Sequence, residues 1–249
     1  MYKKRKNRAS LIGLSFFLLF CLLLSFYFFI NSAFFNLQEI KVSGCSIVAE
    51  DTVIKLSGLN LGTNLFKINT HEVITKLEMH PVIKTLSVSR KPPHTLVLKV
   101  EERTPLALVV GSDGYLAIDA EGIYIQQVHD LLNLNLPVIS GLSLKESISL
   151  GADLTTPGLE AALQLLRLMD REFLESVAEI RAASPYSLII KMLQGVEIHF
   201  GEPKEIEQKL QIIQELLVEN EELINNQTVE YIDLRYNSLP VIKRKNKNL

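Results

Sequence analysis

The chain has 249 residues, a formal net charge of −2, two cysteines and no tryptophan. Lys3, Lys4, Arg5, Lys6 and Arg8 crowd one end, and Lys243, Arg244, Lys245 and Lys247 the other, so the acid excess lies wholly between them. An acidic body speaks against a nucleic-acid partner, whose phosphates call for a basic face. Cys21 lies in an apolar run and Cys45 well beyond it. No disulfide is expected between them, and the folded part must rest on its cores.

After the basic tail, residues 1–10, comes LIGLSFFLLFCLLLSFYFFI, Leu11 to Ile30, without one charge. About 20 residues is the length a helix needs to cross a bilayer core. A secretory signal core is shorter, roughly 7–15 residues, and ends at a small-x-small cleavage site. Asn31-Ser32-Ala33 is a poor one. Val42-Ser43-Gly44-Cys45 has the composition of a lipoprotein box, but Asn36, Gln38, Glu39 and Lys41 separate it from the apolar core it would have to adjoin. The pattern predicts an uncleaved transmembrane helix over 11–31. Basic residues ahead of a first span keep that end in the cytoplasm. The expectation is a single-pass type II protein of the cell membrane, with its bulk outside the cytoplasm.

Residues 34–106 read as one small domain. LQEIKVSG alternates as a strand and ends at Gly44. AEDTVIKLSGL is a short helix with Val53 and Ile54 on its apolar face, closed by Gly58. THEVITKLEMHP is a second helix, with Thr70 as its expected N-cap and Pro81 as its stop. TLSVSRKPPHTLVLKVEE is a strand, a Pro-Pro turn and a strand. The order is β-α-α-β-β, two helices on a three-stranded sheet.

Residues 107–242 read as a second, mainly antiparallel β domain. LALVVGSDGYLAIDAEGIYI holds three short strands. TTPGLEAALQLLRLMD is a helix with Thr156 as N-cap and Pro157 in its first turn. SLIIKMLQGVEIHFG is a hairpin turning at Gln194-Gly195, and PKEIEQKLQIIQELLVEN is a periodic helix. TVEYIDLRYNSLPVI closes the sheet, which carries two helices in this reading. A basic, disordered tail is expected over 243–249. The fold class is α+β.

The ordered fragments Val42-x-Gly44, Ser57-Gly58, Gly62-x-Asn64-Leu65-Phe66, His80-Pro81-Val82, Arg90-Lys91-Pro92-Pro93 and Glu102-Arg103-x-Pro105 resemble a POTRA domain of the FtsQ type. LPVISG at 136–141, GVEIHFG at 195–201, Lys209-Leu210 and YIDLRY at 231–236 are similar to the β domain of the FtsQ/DivIB division family. Val82 stands where many relatives carry Trp, and Asn237-Ser238-Leu239-Pro240 departs from the family pattern after Tyr236. The resemblance implies a non-enzymatic scaffold of the division machinery. It would bind FtsB- and FtsL-like single-span proteins outside the cytoplasm and link early and late assembly at the septum. The competing class is a membrane-anchored POTRA module that handles polypeptides. One POTRA unit, and no train of ~10-residue alternating segments for a barrel, weigh against it.

Chemistry-bearing patterns are sparse. No two histidines pair at i, i+4, and there is no G-x-S-x-G elbow or phosphate-binding G-x-x-x-x-G-K-[ST] loop. His199 reads as a strand residue and Cys45 as a strand-end residue. Asp113, Asp119 and Glu121 read as turn chemistry rather than a cation site. No metal, cofactor or small-molecule substrate is implied. Two strands are candidate contact sites. TLVLKVEE, with Leu96, Val97 and Leu98, has the composition of an open edge; its charges equally suit an edge guarded against pairing. Leu239 to Ile242 are expected to form a terminal edge strand, where Pro240 fits because it lacks an N–H. This stretch is either a closing strand with a solubilising tail or the place where a partner adds a strand. The resemblance implies the second, at Tyr236, Asn237, Ser238, Leu239 and Val241.

Overall fold

The computed structural model describes residues 3–129, 135–145, 148–219, 228–236 and 239–245. The chain divides into two compact units, Met1–Glu102 and Arg103–Leu249.

The first unit begins with helix α1 (Lys3–Ile30). From Leu11 to Phe29 every side chain is exposed, so the helix has no stripe that faces a core. A helix apolar all round suits a hydrocarbon surrounding, and Leu11–Ile30 is long enough to cross one. Helix C-termini leave carbonyls without donors. Here Asn31 Nδ2 donates to Tyr27 O at 2.9 Å, Ser32 Oγ to Phe29 O at 2.7 Å, and Asn64 Nδ2 to Ile30 O at 2.9 Å.

Next come β1 (Glu39–Ser43), α2 (Glu50–Ser57), α3 (Thr70–Glu78), β2 (Ile83–Lys91) and β3 (Thr95–Glu102), in the expected β-α-α-β-β order. Gly58 closes α2 in the left-handed region, and the cap of α3 is Asn69, one residue before Thr70. Leu96, Leu98 and Val100 alternate into a core with Leu37, Val53, Leu65, Val73, Leu77 and Ile83.

The sheet order is β1-β3-β2, and this corrects the expectation of an open edge at TLVLKVEE. β3 pairs antiparallel with β2 on one side and parallel with β1 on the other. The two helices between β1 and β2 carry the chain across, so the first strand pairs beside the last. Leu96 and Leu98 are fully buried and Val97 is half-buried. The open edges of this sheet belong to β1 and β2.

The exit from β1 is fixed by two contacts. Gly44 has φ +89°, and a Cβ there would lie 2.0 Å from Val100 O. No other residue fits without moving β3. Glu102, at the end of β3, receives the Ser46 and Val48 amides at 2.9 and 2.8 Å and the Ser46 hydroxyl at 2.6 Å. Partial burial pushes the Glu102 pKa up, but the Ser46 hydroxyl and the Val48, Ile47 and Ser46 amides outweigh it and hold it at about 2.

The second unit is one nine-stranded sheet. Its strands are β4 (Ala107–Gly111), β5 (Gly114–Ile118), β6 (Tyr124–Val128), β7 (Val138–Ser140), β8 (Val177–Arg181), β9 (Leu188–Met192), β10 (Glu197–Gly201), β11 (Val229–Asp233) and β12 (Val241–Arg244). They lie in the order β12-β11-β10-β9-β8-β7-β4-β5-β6. Helices α4 (Pro157–Leu166), α5 (Arg171–Ser176) and α6 (Ile206–Glu219) accompany it. Among the described residues there are thus three helices where the sequence predicted two. Thr156 caps α4 as expected, its side chain accepting from Leu159 N. Leu159, Leu163, Leu210 and Ile213 pack with Ile118, Ile180, Ile190, Ile198, Phe200 and Ile232 in the main core. Leu108, Ala117 and Val128 form a small second cluster. Asp119 accepts from the Glu121 and Ile123 amides at 2.9 Å each and pairs with Arg103, so it serves its own turn. Lys243 and Arg244, expected in a disordered tail, are strand residues; residues 246–249 lie outside the described chain.

A carboxylate whose pKa is depressed by folding contributes stability above its unfolded pKa and loses it as the pH falls through the folded one. The Glu102 contribution is therefore complete above about pH 4.5 and drains away toward pH 2. Glu102→Gln is expected to cost on the order of 1–2 kcal/mol near pH 7, after allowance for solvent screening. The deficit relative to the parent should shrink as acid is added. Urea melts of the full chain in detergent between pH 7 and 3 check this; a pH-independent deficit would contradict it.

Candidate functional site

β10 runs parallel to β11, with Ile198 opposite Ile232, and β11 runs antiparallel to β12. β12 is consequently the outermost strand of the large sheet. Asp233 lies opposite Val241, Ile232 opposite Ile242, and Tyr231 opposite Lys243. Ile242 thus shares the core face with Ile232, while Val241 and Lys243 share the other face.

The approach to β12 is held from below. Leu234 N donates to His199 O at 2.9 Å, carrying β11 past its last strand residue. Arg235 folds back on Asp233, its Nε 3.0 Å and its Nη2 2.5 Å from the carboxylate. The guanidinium holds the Asp233 carboxyl below its usual range. Gly201 lies beneath, with φ +78°; a Cβ there would meet Arg235 Cγ at 3.1 Å and Cα at 3.2 Å. Only a glycine lets Arg235 lie so close in that backbone conformation. Tyr236 then emerges at 70% exposure, with the Arg235 guanidinium 5.7 Å from its ring centroid.

Leu239 is 86% exposed, Val241 59% and Ile242 37%. With Tyr236 they concentrate exposed apolar side chains at the edge strand and its approach, Ile242 on the core face and Val241 on the other. Next to it lies a groove of about 440 Å³ lined by Glu205, Gln208, Lys209, Ile212, Leu234, Tyr236, Leu239 and Pro240. Lys209 is buried; its Nζ donates to Phe200 O at 2.9 Å and sits 4.7 Å from the Phe200 ring centroid. Burial pushes its pKa down, against the opposing pull of Glu205 and Glu202. On the non-core face His199 stacks on Tyr231 at 4.4 Å, and Lys243 Nζ lies 5.3 Å from the Tyr231 ring and 3.1 Å from Glu230. His199 is therefore a packed strand histidine.

Of the expected contact residues, Tyr236 and Leu239 line this groove together, and Val241 stands nearby in β12, opposite Asp233. Asn237 and Ser238 lie outside the described residues. Leu96, Val97 and Leu98 stand in a different sheet, in its central strand. Sequence reasoning missed the groove walls. Their one signal was Lys209, an amine on the apolar side of α6.

A family model described as the FtsQ-type POTRA domain matches residues 35–103. A second, described as the C-terminal part of cell division protein FtsQ/DivIB, matches 107–235, more than half of the chain. The chain belongs to the FtsQ/DivIB family. It is 24% identical over 210 residues to cell division protein DivIB of Clostridium acetobutylicum, which covers 84% of this chain and 82% of the relative. It is 28% identical over 219 residues to FtsQ of Geotalea daltonii, covering 86% and 78%. With FtsQ of Syntrophotalea carbinolica it shares 29% over 153 residues, covering 61% and 54%. Membership of the FtsQ/DivIB family gives the chain a role in cell division. The second match ends at Arg235, one residue before Tyr236, so the exposed patch rests on geometry alone.

An outermost strand held from one side opens more readily than the strand inside it. In hydrogen exchange followed by mass spectrometry, amides of 241–244 should exchange roughly tenfold or more faster than those of 229–233. Equal protection would mean that β12 is covered from outside.

Proposed function

We propose that this FtsQ/DivIB protein is a non-enzymatic, single-span scaffold of the division machinery whose partner adds a strand to β12. The observation that carries it is the concentration of Tyr236, Leu239, Val241 and Ile242 at an open sheet edge. An exposed edge offers main-chain hydrogen bonds to an added strand, and neighbouring side chains supply the specificity. Tyr236 is the aromatic anchor of the contact, and the groove at Leu234 and Ile212 takes a side chain of the added strand. Division proteins with a short outer segment, FtsB- and FtsL-like, are the partners this reading favours. Binding them places the chain between early and late arrivals at the septum.

The expected orientation is a cytoplasmic tail over 1–10, a span over 11–31, and both folded units outside. It is supported by the basic residues ahead of the apolar helix. The inner or plasma membrane, enriched at the septum, is the location in this reading. A reporter active only outside the cytoplasm should work when fused after Leu249, and a silent fusion that is still made in full would reverse the topology.

The partner contact is tested by titrating the full chain in detergent with the outer segment of an FtsB-like protein of the same cell. Tyr236→Ala should weaken binding by about 2 kcal/mol or more, as loss of an aromatic hot spot does. Val241→Pro should also weaken it by disturbing the edge. Parental affinity in both variants, with native circular dichroism, would remove β12 from the interface.

A further inference from the structure

The end of α1 is joined to the first folded unit by bonds, not by a slack linker. Asn64 belongs to a loop of that unit, yet its Nδ2 donates to Ile30 O at 2.9 Å, and its Oδ1 accepts from Phe66 N at 3.0 Å. The same loop is sewn to the residues that follow the helix: Leu65 N to Phe35 O, Leu37 N to Thr63 O and Gly62 N to Leu37 O, each 2.8 Å. Arg90 stiffens it from β2, donating to Leu65 O at 3.0 Å and Ile68 O at 2.7 Å. A chain of rings runs outward from the helix. Phe29 touches Phe34 at 6.0 Å and Phe35 at 5.2 Å, and Phe35 touches Phe66 at 5.2 Å.

Phe35 is buried, but Phe34 is 59% exposed and Phe66 44%, and Leu61 in the same loop is 65% exposed. Phe34 is one ring contact and Phe66 two from Phe29, in the last turn of an apolar helix. We propose that the first unit rests on the outer leaflet, with Phe34 and Phe66 inserted at the headgroup–acyl boundary, so that it is clamped to the membrane surface rather than tethered above it. Aromatic and aliphatic side chains on a rigid body bind that boundary by burying apolar surface. A bilayer is the occupant because the adjoining helix brings it to the rim. Asn64 then has a double role: in a region poor in water an unbonded carbonyl is costly, and Asn64 satisfies Ile30 while setting the height of Phe66.

The proposal rests on the membrane-anchor reading of α1, and one experiment separates the two. The chain has no tryptophan, so single Phe16→Trp, Phe29→Trp, Phe34→Trp, Phe66→Trp and Leu61→Trp variants each report one depth. The full-length variants are reconstituted in phosphatidylcholine–phosphatidylglycerol vesicles with and without brominated phosphatidylcholine, with N-acetyltryptophanamide as the aqueous reference. Phe34→Trp and Phe66→Trp are expected to lose at least half as much emission as Phe29→Trp. If Phe66→Trp loses the native circular dichroism, Leu61→Trp takes its place. Quenching of Phe16→Trp and Phe29→Trp with reference-like Phe34→Trp and Phe66→Trp would leave the anchor standing and overturn the docking, giving the rim to a neighbouring protein helix. An unquenched Phe16→Trp would overturn the anchor and the docking with it.

Discussion

The parallel pairing of β10 with β11 is the constraint from which the far end of the large sheet follows. Two parallel neighbours cannot be joined by a hairpin; the chain must return to its starting side, usually through a helix. Here α6 lies between them in sequence, and its Leu210 and Ile213 enter the same core as Ile198, Phe200 and Ile232. The crossover therefore does two things at once. It covers the end of the sheet and delivers β11 beyond β10. β12 then folds back antiparallel, and among the described residues no further strand lies beside it.

The same crossover sets the chemistry next to that edge. Lys209 is drawn into the core face of α6, where its amine is satisfied by the Phe200 carbonyl. A buried amine is tolerated when its donors find acceptors and is costly when they do not. Its stem forms a wall of the groove beside Tyr236, next to Ile212 and Leu234. The opposite support comes from Gly201, whose missing side chain admits Arg235 and hence fixes where Tyr236 leaves the sheet. The patch is built by buried groups that would never be counted as contact residues.

Local signals carried much of this architecture. The β2–β3 hairpin, the Thr156 cap with Pro157 after it, and the periodicity of α6 were legible because each is decided within a dozen residues. Long-range pairing was not. TLVLKVEE reads as an edge by composition, yet β1 closes over its free side from more than fifty residues away, and no local pattern announces that. α5 has six residues and one buried side chain, Phe173, too few for a helical period to emerge. β8 hides for another reason. The register shifts between Val177 and Glu179, which breaks the alternation that marks a strand. β12 starts at Val241 rather than at Leu239. Of the site itself, the patch was legible as an apolar run around a proline, but the groove was not, because its walls come from α6 and from the segment after β11 together.

An open edge is normally defended. Charges and proline are the usual means, and both are present here, Lys243 and Arg244 in β12 and Pro240 just before it. Yet the defence is uneven along the strand. Lys243 is engaged with Glu230 and held over Tyr231, so part of its charge is already committed to its own sheet. Val241, Leu239 and Tyr236 leave the other end apolar and exposed. A strand aligned on this edge would meet apolar anchors at one end and cations at the other. On the proposed reading that polarity is a selection device. A second copy of β12 aligned antiparallel would set Lys243 and Arg244 against the apolar end, which offers them no acidic partner. A segment with an apolar end and an acidic end satisfies both halves. Discrimination of this kind comes as much from the pairing it spoils as from the pairing it favours.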